Sequence, residues 1–344
     1  MAPQKFTRVV LAQRPVGHID DKTFRKETIP YDLKPSTPDS VVVQVDWLSL
    51  DPAMRGWLND TRSYLPPVQI GEIMRAEGLG TVIEVGSGSK FKVGDVVKGT
   101  FGWTEYAVMK DKTLTKIEAP THVESLDFLG VLGASGMTAY FGLLDVGKIQ
   151  PGETLVVSGA AGAVGSVVCQ IGKIKGAKVV AIAGSAEKCR WLENDLGVDK
   201  AINYKDADFK EQFKKHVGYL DVFFDNVGGE ILDFALTRLN QKARIVLCGA
   251  ISDYNAPKPR GLQSYLNLIS QRARIEGFIV FDYASQYATA ADEMGHWIKD
   301  GKLKRKFHTV EGIASAPEAL PMLFTGGNTG KLVVKVSQIQ TSRL

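Results

Sequence analysis

Cysteine is scarce in this chain: 3 in 344 residues, at Cys169, Cys189 and Cys248, with no pair at short spacing. A sparse, odd set excludes a disulfide scaffold and fits reduced thiols in an intracellular compartment. CxxC, HExxH and clustered His/Cys sets are missing as well. The histidines, His18, His122, His216, His296 and His308, stand isolated and are expected at the surface. No metal site follows from such an inventory. Concentrated charge is also absent: 42 Lys and Arg oppose 38 Asp and Glu, a net charge of +4. That balance, with its basic residues scattered, gives no nucleic-acid footprint. The densest basic run, KLKRK at 302–306, reads as a solvated helix end. Long apolar runs are missing too. The uncharged stretch 154–172 is broken by glycines and by Ser158, Ser166 and Gln170, which excludes a membrane span. The N-terminal MAPQKFTRVVLAQ lacks the apolar core of a signal peptide. Repeats and low-complexity segments are absent.

What is present fits a two-domain globular protein. The length exceeds one ordinary domain of roughly 100–200 residues. The 44% hydrophobic and 23% charged fractions are those of a packed fold. Up to about residue 122 the chain carries short β-rich runs punctuated by Pro, Gly and Asp: VVVQV at 41–45, GLGTVIEVG from Gly78, DVVKG at 95–99 and TEYAVM at 104–109. These predict a small barrel-like β unit. From 123 helical and strand patterns alternate. Strands are expected at 154–157, 178–183, 201–203, 220–225, 244–249 and 274–280, with helices after Gly162, over 187–195 and after Gly229. That alternation predicts a doubly wound parallel sheet with its ligand at the carboxyl ends of the strands. KLVVKV at 331–336 is β-like, so the C-terminal segment is expected to return to the first domain.

The informative stretch is TLVVSGAAGAVGSVVCQIG at 154–172. An apolar run, then Gly159, Gly162 and Gly165, then Val164, Val167, Val168 and Ile171 at helical spacing read as strand, tight turn and helix. Glycine is needed there for the turn, for contact with a pyrophosphate and for helix–strand packing. The helix start adds unpaired N–H groups and a partial positive charge. The next strand, KVVAIA, ends in Gly184-Ser185-Ala186-Glu187-Lys188. An NAD-binding unit places an acid near that point to hold the ribose 2′-hydroxyl. A small residue, a hydroxyl and a lysine suit a 2′-phosphate instead. Gly184, Ser185 and Lys188 therefore predict NADP(H).

Over nearly its whole length the chain resembles the medium-chain dehydrogenase/reductase superfamily. The zinc-free branch of prostaglandin reductases, plant alkenal double-bond reductases and bacterial curcumin reductase is the most similar. SLDPAMRGWL, YLPPVQIGEIM, GWTEYAV, GMTAYFGLLDVG, AGSAEK, INYK, FFDNVGG, CGAISDYN, RIEGFIV and GKLVVKV carry the likeness, together with the glycine-turn block. It implies an α/β fold: a Rossmann-type doubly wound sheet over 123–307, and a GroES-like β-rich substrate domain over 1–122 completed by 308–344. Alcohol-oxidising relatives hold a catalytic zinc on Cys and His. Here the corresponding stretches offer Asp51 in SLDPAMR and Ala76-Glu77 in MRAEG. Without a Lewis acid, alcohol oxidation is disfavoured. Hydride delivery to a carbon conjugated with a carbonyl remains open.

The resemblance implies NADPH-dependent 1,4-reduction of α,β-unsaturated aldehydes or ketones. It places Tyr254 nearest the developing enolate oxygen. A phenol, ionising only near ~10 in water, can donate there without being consumed; the other role for Tyr254 is packing on the nicotinamide ribose. Tyr64, in RSYLPPV, matches a substrate-contacting tyrosine, whereas Ala53 stands where plant relatives carry tyrosine. Trp57 and Trp103 are either pocket-lining or core aromatics. The backbone at Gly162, Ala163, Val164 and Gly165 is assigned to the pyrophosphate. Lys188 and Tyr204 go to the 2′-phosphate and adenosine. Nicotinamide and ribose go to Asn226, Cys248, Gly249, Ala250, Ile251, Ser252 and Tyr254, to the main chain of Phe278, Ile279 and Val280, and to Asn328. Two other activities compete: an NADPH quinone reductase of the same superfamily, and a non-catalytic NADPH-binding protein. The expected partners are a small enone and a second copy of the chain, with no nucleic acid and no membrane. The expected location is the cytosol. Ser342-Arg343-Leu344, resembling the SKL-type signal, marks the peroxisome as the other address.

Overall fold

The computed structural model describes residues 3–336, so Ser342-Arg343-Leu344 lies outside the described residues. Two compact units result: residues 3–129 with 307–336, and residues 130–306.

The first unit is built on a seven-stranded sheet. Its central strand, Ser40–Ser49, carries VVVQV and is buried almost throughout, as a β-branched run covered on both faces should be. In order across the sheet lie Phe307–Glu311, Lys331–Lys335, Ser40–Ser49, Glu77–Val85, Val96–Thr100 and Thr115–Lys116, while Tyr106–Lys110 also pairs with Ser40–Ser49. Every pair is antiparallel except Phe307–Glu311 with Lys331–Lys335. Val41, Val43, Val45, Leu48, Met54, Leu332 and Val334 fill the core. Trp103 is fully buried there and packs on Phe24 at 4.8 Å between ring centroids. It is a core aromatic, which corrects the pocket-lining reading.

The second unit is the doubly wound sheet. Its elements are α1 (Ala134–Phe141), β1 (Thr154–Val157), α2 (Ala163–Ile174), β2 (Lys178–Ala183), α3 (Ala186–Asn194), β3 (Lys200–Asn203), α4 (Phe209–Val217), β4 (Leu220–Asp225), α5 (Gly229–Ala235), β5 (Leu239–Leu247), α6 (Asn267–Gln271), β6 (Arg274–Gly277) and α7 (Tyr287–Lys299). All six strands are parallel, in the order β3-β2-β1-β4-β5-β6. The order reverses between β1 and β4, which opens a crevice at their carboxyl ends.

Three sequence expectations need correction. The strand expected at 244–249 begins at Leu239 and stops at Leu247, leaving Cys248 and Gly249 outside the sheet. The strand expected at 274–280 ends at Gly277 because Gly277 is registered on Leu247, where its neighbour also ends. KLKRK is not a helix end: α7 stops at Lys299, and the run is a strap across α2 and α3. Leu303 is buried, Lys304 exchanges main-chain hydrogen bonds with the Gln170 amide, and Lys306 lies over the Trp191 ring. Of the histidines, His18, His122 and His296 are exposed, while His216 and His308 are half-buried. No helix among the described residues is long and apolar enough to cross a membrane.

Candidate active site

In the second unit, the glycine turn leaves the end of β1 and enters α2. A Cβ on Gly165 would lie 2.4 Å from the Gly159 carbonyl oxygen and 2.7 Å from Ala160 Cα, both backbone atoms that cannot yield. Only glycine lets the helix start so close beneath the strand end. Gly162 is the N-cap and offers no side-chain acceptor, and the first turn holds no acid. The N–H groups at the helix start therefore remain available to an anion. Gly162, Ala163 and Val164 are half-buried, at the rim of the turn, and Gly165 is buried under them.

Beside this turn, the ends of β1 and β4 are tied together by Asp225. Its buried carboxylate accepts from the Ser158 hydroxyl (2.6 Å), Val227 N–H (3.1 Å) and Gly228 N–H (3.0 Å). Ser158 Oγ accepts from Asn226 N–H (2.9 Å), and the Asn226 side-chain amide donates to Ser158 O (2.7 Å). Burial raises the Asp225 carboxyl above its ordinary value, against these hydrogen bonds. The Asp225 carbonyl in turn accepts from Cys248 N–H (2.9 Å) and Gly249 N–H (3.1 Å), and Ser252 N–H donates to Val227 O (3.0 Å). Burial also pushes the Cys248 thiol up to about 12, so it stays protonated and unreactive at neutral pH. Asp225 and Ser158 escaped the sequence reading, although both stand as polar residues ending apolar strands.

Tyr254 follows on the same segment. Its ring is half-buried, and its hydroxyl accepts from Ala250 N–H at 3.3 Å. Phe278, Ile279 and Val280 leave β6 half-buried. Val280 O accepts from the Tyr287 hydroxyl at 2.9 Å.

The carboxyl ends of β2 and β3 form a second cluster. A Cβ on Gly184 would meet the Tyr204 ring at 2.9 Å and its hydroxyl oxygen at 3.2 Å, so a larger residue would displace Tyr204. Ser185 is the N-cap of α3, its hydroxyl accepting from Lys188 N–H at 3.2 Å. Lys188 is half-buried, and burial, then the charge of Lys205, holds its ammonium below the ordinary lysine value. Sequence reading gave Lys205, the last residue of INYK, no role of its own, because it lies in the turn after β3, far along the chain from the AGSAEK motif. These residues fit a dinucleotide carrying a 2′-phosphate: a glycine cradle, an uncapped helix start and lysines where a carboxylate would stand.

In the first unit, Tyr64 is exposed and its hydroxyl accepts from Trp57 Nε1 at 3.3 Å. Arg75 lies over the Trp57 ring at 5.7 Å. Asn328 is buried and donates to Gly330 O at 3.0 Å. Asp51 receives the Lys331 ammonium at 2.5 Å and the Ser49 hydroxyl. Lys331 is almost fully buried and also reaches Leu50 O at 3.3 Å. Glu77 pairs with Lys98 at 3.6 Å. A carboxylate already neutralised by a buried ammonium does not suit a zinc ligand set. No group of three or more His, Cys, Asp or Glu able to hold a metal occurs among the described residues.

Two family models match the chain: one described as the N-terminal domain of oxidoreductase over residues 7–117, the other as zinc-binding dehydrogenase over 163–295. An NADPH-dependent curcumin reductase of Escherichia coli is 39% identical over 97% of this chain and 98% of its own length. A 2-alkenal reductase (NADP(+)-dependent) of Nicotiana tabacum is 38% identical over 96% of this chain and 97% of its own. The crystal structure of CurA from Vibrio vulnificus in complex with NADPH superposes with a TM-score of 0.89 at 40% identity, covering 96% of this chain and 99% of that one.

Proposed function

The chain belongs to the zinc-free branch of the medium-chain dehydrogenase/reductase family, and from that premise we propose that it reduces the carbon–carbon double bond of α,β-unsaturated aldehydes and ketones. It is an NADP-dependent oxidoreductase. The observation that carries the substrate class is Tyr254: a phenol whose hydroxyl lies against the segment 248–252, which follows the carboxyl end of β5. The names of the alkenal and curcumin reductases point the same way.

NADPH, when bound, supplies a hydride to the electrophilic β-carbon of the conjugated carbonyl. The Tyr254 hydroxyl then donates a hydrogen bond to the carbonyl oxygen as negative charge gathers on it, the interaction made only as the enolate forms. Tyr254 keeps its proton, and water protonates the α-carbon. One hydride and one proton are thereby added across the double bond. The start of α2, at Gly162, Ala163, Val164 and Gly165, binds the pyrophosphate, and Lys188 and Tyr204 bind the 2′-phosphate end. In the second unit Asn226, the 248–252 segment and Phe278–Val280 hold nicotinamide and ribose; in the first, Asn328 is assigned to the cofactor and Tyr64 to the substrate. Ala53 leaves room for substrates that a tyrosine there would exclude.

The test offers NADPH with a panel of 2-alkenals, aryl enones and a benzoquinone, with and without a chelator, and follows cofactor absorbance and product. Enone-dependent oxidation giving the saturated carbonyl, indifferent to the chelator, is expected. Oxidation by the quinone alone, or a chelator-sensitive rate restored by zinc, would defeat the proposal.

A second copy of the chain, in the cytosol, completes this reading. Among the described residues β6 is an edge strand, and Tyr265, Leu266 and Ile269, shortly before it in the chain, are exposed. An unpaired edge beside apolar side chains is a surface that pairing protects. Light scattering should give twice 37.5 kDa, and Ile269→Glu should shift the mass toward the monomer. A monomeric wild type would rule the arrangement out.

A further inference from the structure

β2 and β3 are parallel neighbours, with Ala183 registered on Asn203. The residues that follow them, Gly184 and Tyr204, then Ser185 and Lys205, therefore emerge side by side. Tyr204 N–H donates to Ala183 O (3.0 Å), which extends the pairing past the last strand residue. The turn after β3 is pinned from within. Lys205 N–H donates to Asn203 Oδ1 (3.2 Å), Asn203 Nδ2 donates to Asp206 Oδ1 (2.6 Å), and Asp206 N–H donates to Asn203 O (3.1 Å). Lys205 thus starts from a fixed point, and its Nζ lies 5.9 Å from the centroid of the Tyr204 ring. That ring brings its own hydroxyl to the surface of Gly184, at the mouth of α3. Lys188 stands one turn into α3, half-buried.

We propose that Lys205 is a second cation for the ribose 2′-phosphate of NADP(H), acting with Lys188 beside the Tyr204 hydroxyl, and is therefore a cofactor-specificity residue. The inference rests on the reading of Lys188 as a 2′-phosphate residue. The electrostatics agree: the charge of Lys205 is felt at Lys188 as a like charge that disfavours its ammonium, and the carboxylate acting in the opposite sense is the exposed Glu187. Two ammonium groups that feel each other's charge offer a dianion attraction from both. The ribose phosphate, carrying about −1.5 to −2 at neutral pH, supplies one. NAD(H) presents a neutral hydroxyl there and gains no such attraction, so the pair discriminates by charge. Lysine suits the task because a point charge on a flexible stem needs no fixed fork geometry.

The experiment measures binding of adenosine 2′,5′-bisphosphate and of 5′-AMP to the full chain by calorimetry, for the wild type, Lys205→Gln, Lys205→Arg and Lys188→Ala. Lys205→Gln should weaken the bisphosphate about 3–10-fold, between the worth of an exposed ion pair and that of a charge-assisted hydrogen bond. It should leave 5′-AMP unchanged, and Lys205→Arg should restore the bisphosphate. Lys188→Ala should weaken the bisphosphate about 10–150-fold with the same selectivity. Unchanged bisphosphate binding in Lys205→Gln, or equal losses for both probes, overturns the inference. If Lys188→Ala alone is selective, only the Lys205 role falls; if neither variant is selective, the 2′-phosphate reading of this cluster falls with it.

Discussion

Replacing Tyr254 by phenylalanine is expected to lower enone turnover ~10²–10³-fold with little change in NADPH affinity, the loss that follows deletion of one donor to a developing oxyanion. The substitution removes a single oxygen. The ring keeps its half-buried place in the turn 251–255, and the bond from Ala250 N–H at 3.3 Å is lost. That bond is long, so its loss should cost little stability. The two roles open to Tyr254 separate cleanly. A donor to the enolate lowers kcat and kcat/KM together, because the interaction exists only in the transition state. A ring that only packs on the nicotinamide ribose is preserved in phenylalanine, and turnover would stay near the wild-type value. Steady-state kinetics with one enone, alongside direct titration of NADPH, decide between them. Near-native turnover would pass the donor role to water or to Tyr64.

Asp225→Ala is expected to destabilise the second unit by ~3–5 kcal/mol and to abolish dinucleotide binding. Three donors lose their acceptor at once: the Ser158 hydroxyl and the N–H groups of Val227 and Gly228. Each buried donor left unsatisfied costs about 1–3 kcal/mol. The sum is reduced because the variant no longer buries a carboxylate. In a domain of this size that corresponds to a fall in Tm of roughly 10 °C. Binding fails because the Ser158–Asn226 tether and the Val227–Gly228 turn shape the crevice at the reversal of strand order. Thermal unfolding followed by circular dichroism, with and without NADPH, checks both claims; a variant within ~0.5 kcal/mol of the wild type would refute the structural role. The same carboxyl has a pH signature. Burial raises it in the folded state, so the folded chain holds this proton to higher pH than the unfolded chain does. Its contribution to stability is full below the unfolded value and declines as pH rises through the folded one. Asp225→Asn, which cannot titrate, should lack that component.

The elements legible in the sequence are those whose signals are local. LDVFFD is β4 residue for residue, because an apolar β-branched and aromatic run stops at a polar residue and a turn. KVVAIA is β2 for the same reason, and the glycine turn announces its strand and its helix within a dozen residues. β5 was harder. Its first half, with Asn240, Gln241 and Lys242, carries no apolar pattern, and Lys242 adopts φ of 63°. That half counts as strand because Leu220 of β4 pairs with Leu239. For β6 the apolar pattern continues through FIV past the strand's end at Gly277, yet a strand lasts only as long as its neighbour offers hydrogen-bond partners.

The sequence by itself determined the parallel doubly wound sheet, the glycine turn and its helix start, the family and the NADP(H) cofactor. Each of these depends on residue types at short spacing, where side-chain size and backbone freedom act directly. Tertiary structure alone decided that Trp103 is core, that Asp225 clamps β1 to β4, and that the charge of Lys205 acts on Lys188. It also decided that Lys331 occupies Asp51 from 280 residues away. Burial, a buried polar group's partner and the field of a distant charge depend on which strands become neighbours, and neighbours are chosen by the whole sheet rather than by any segment of the chain.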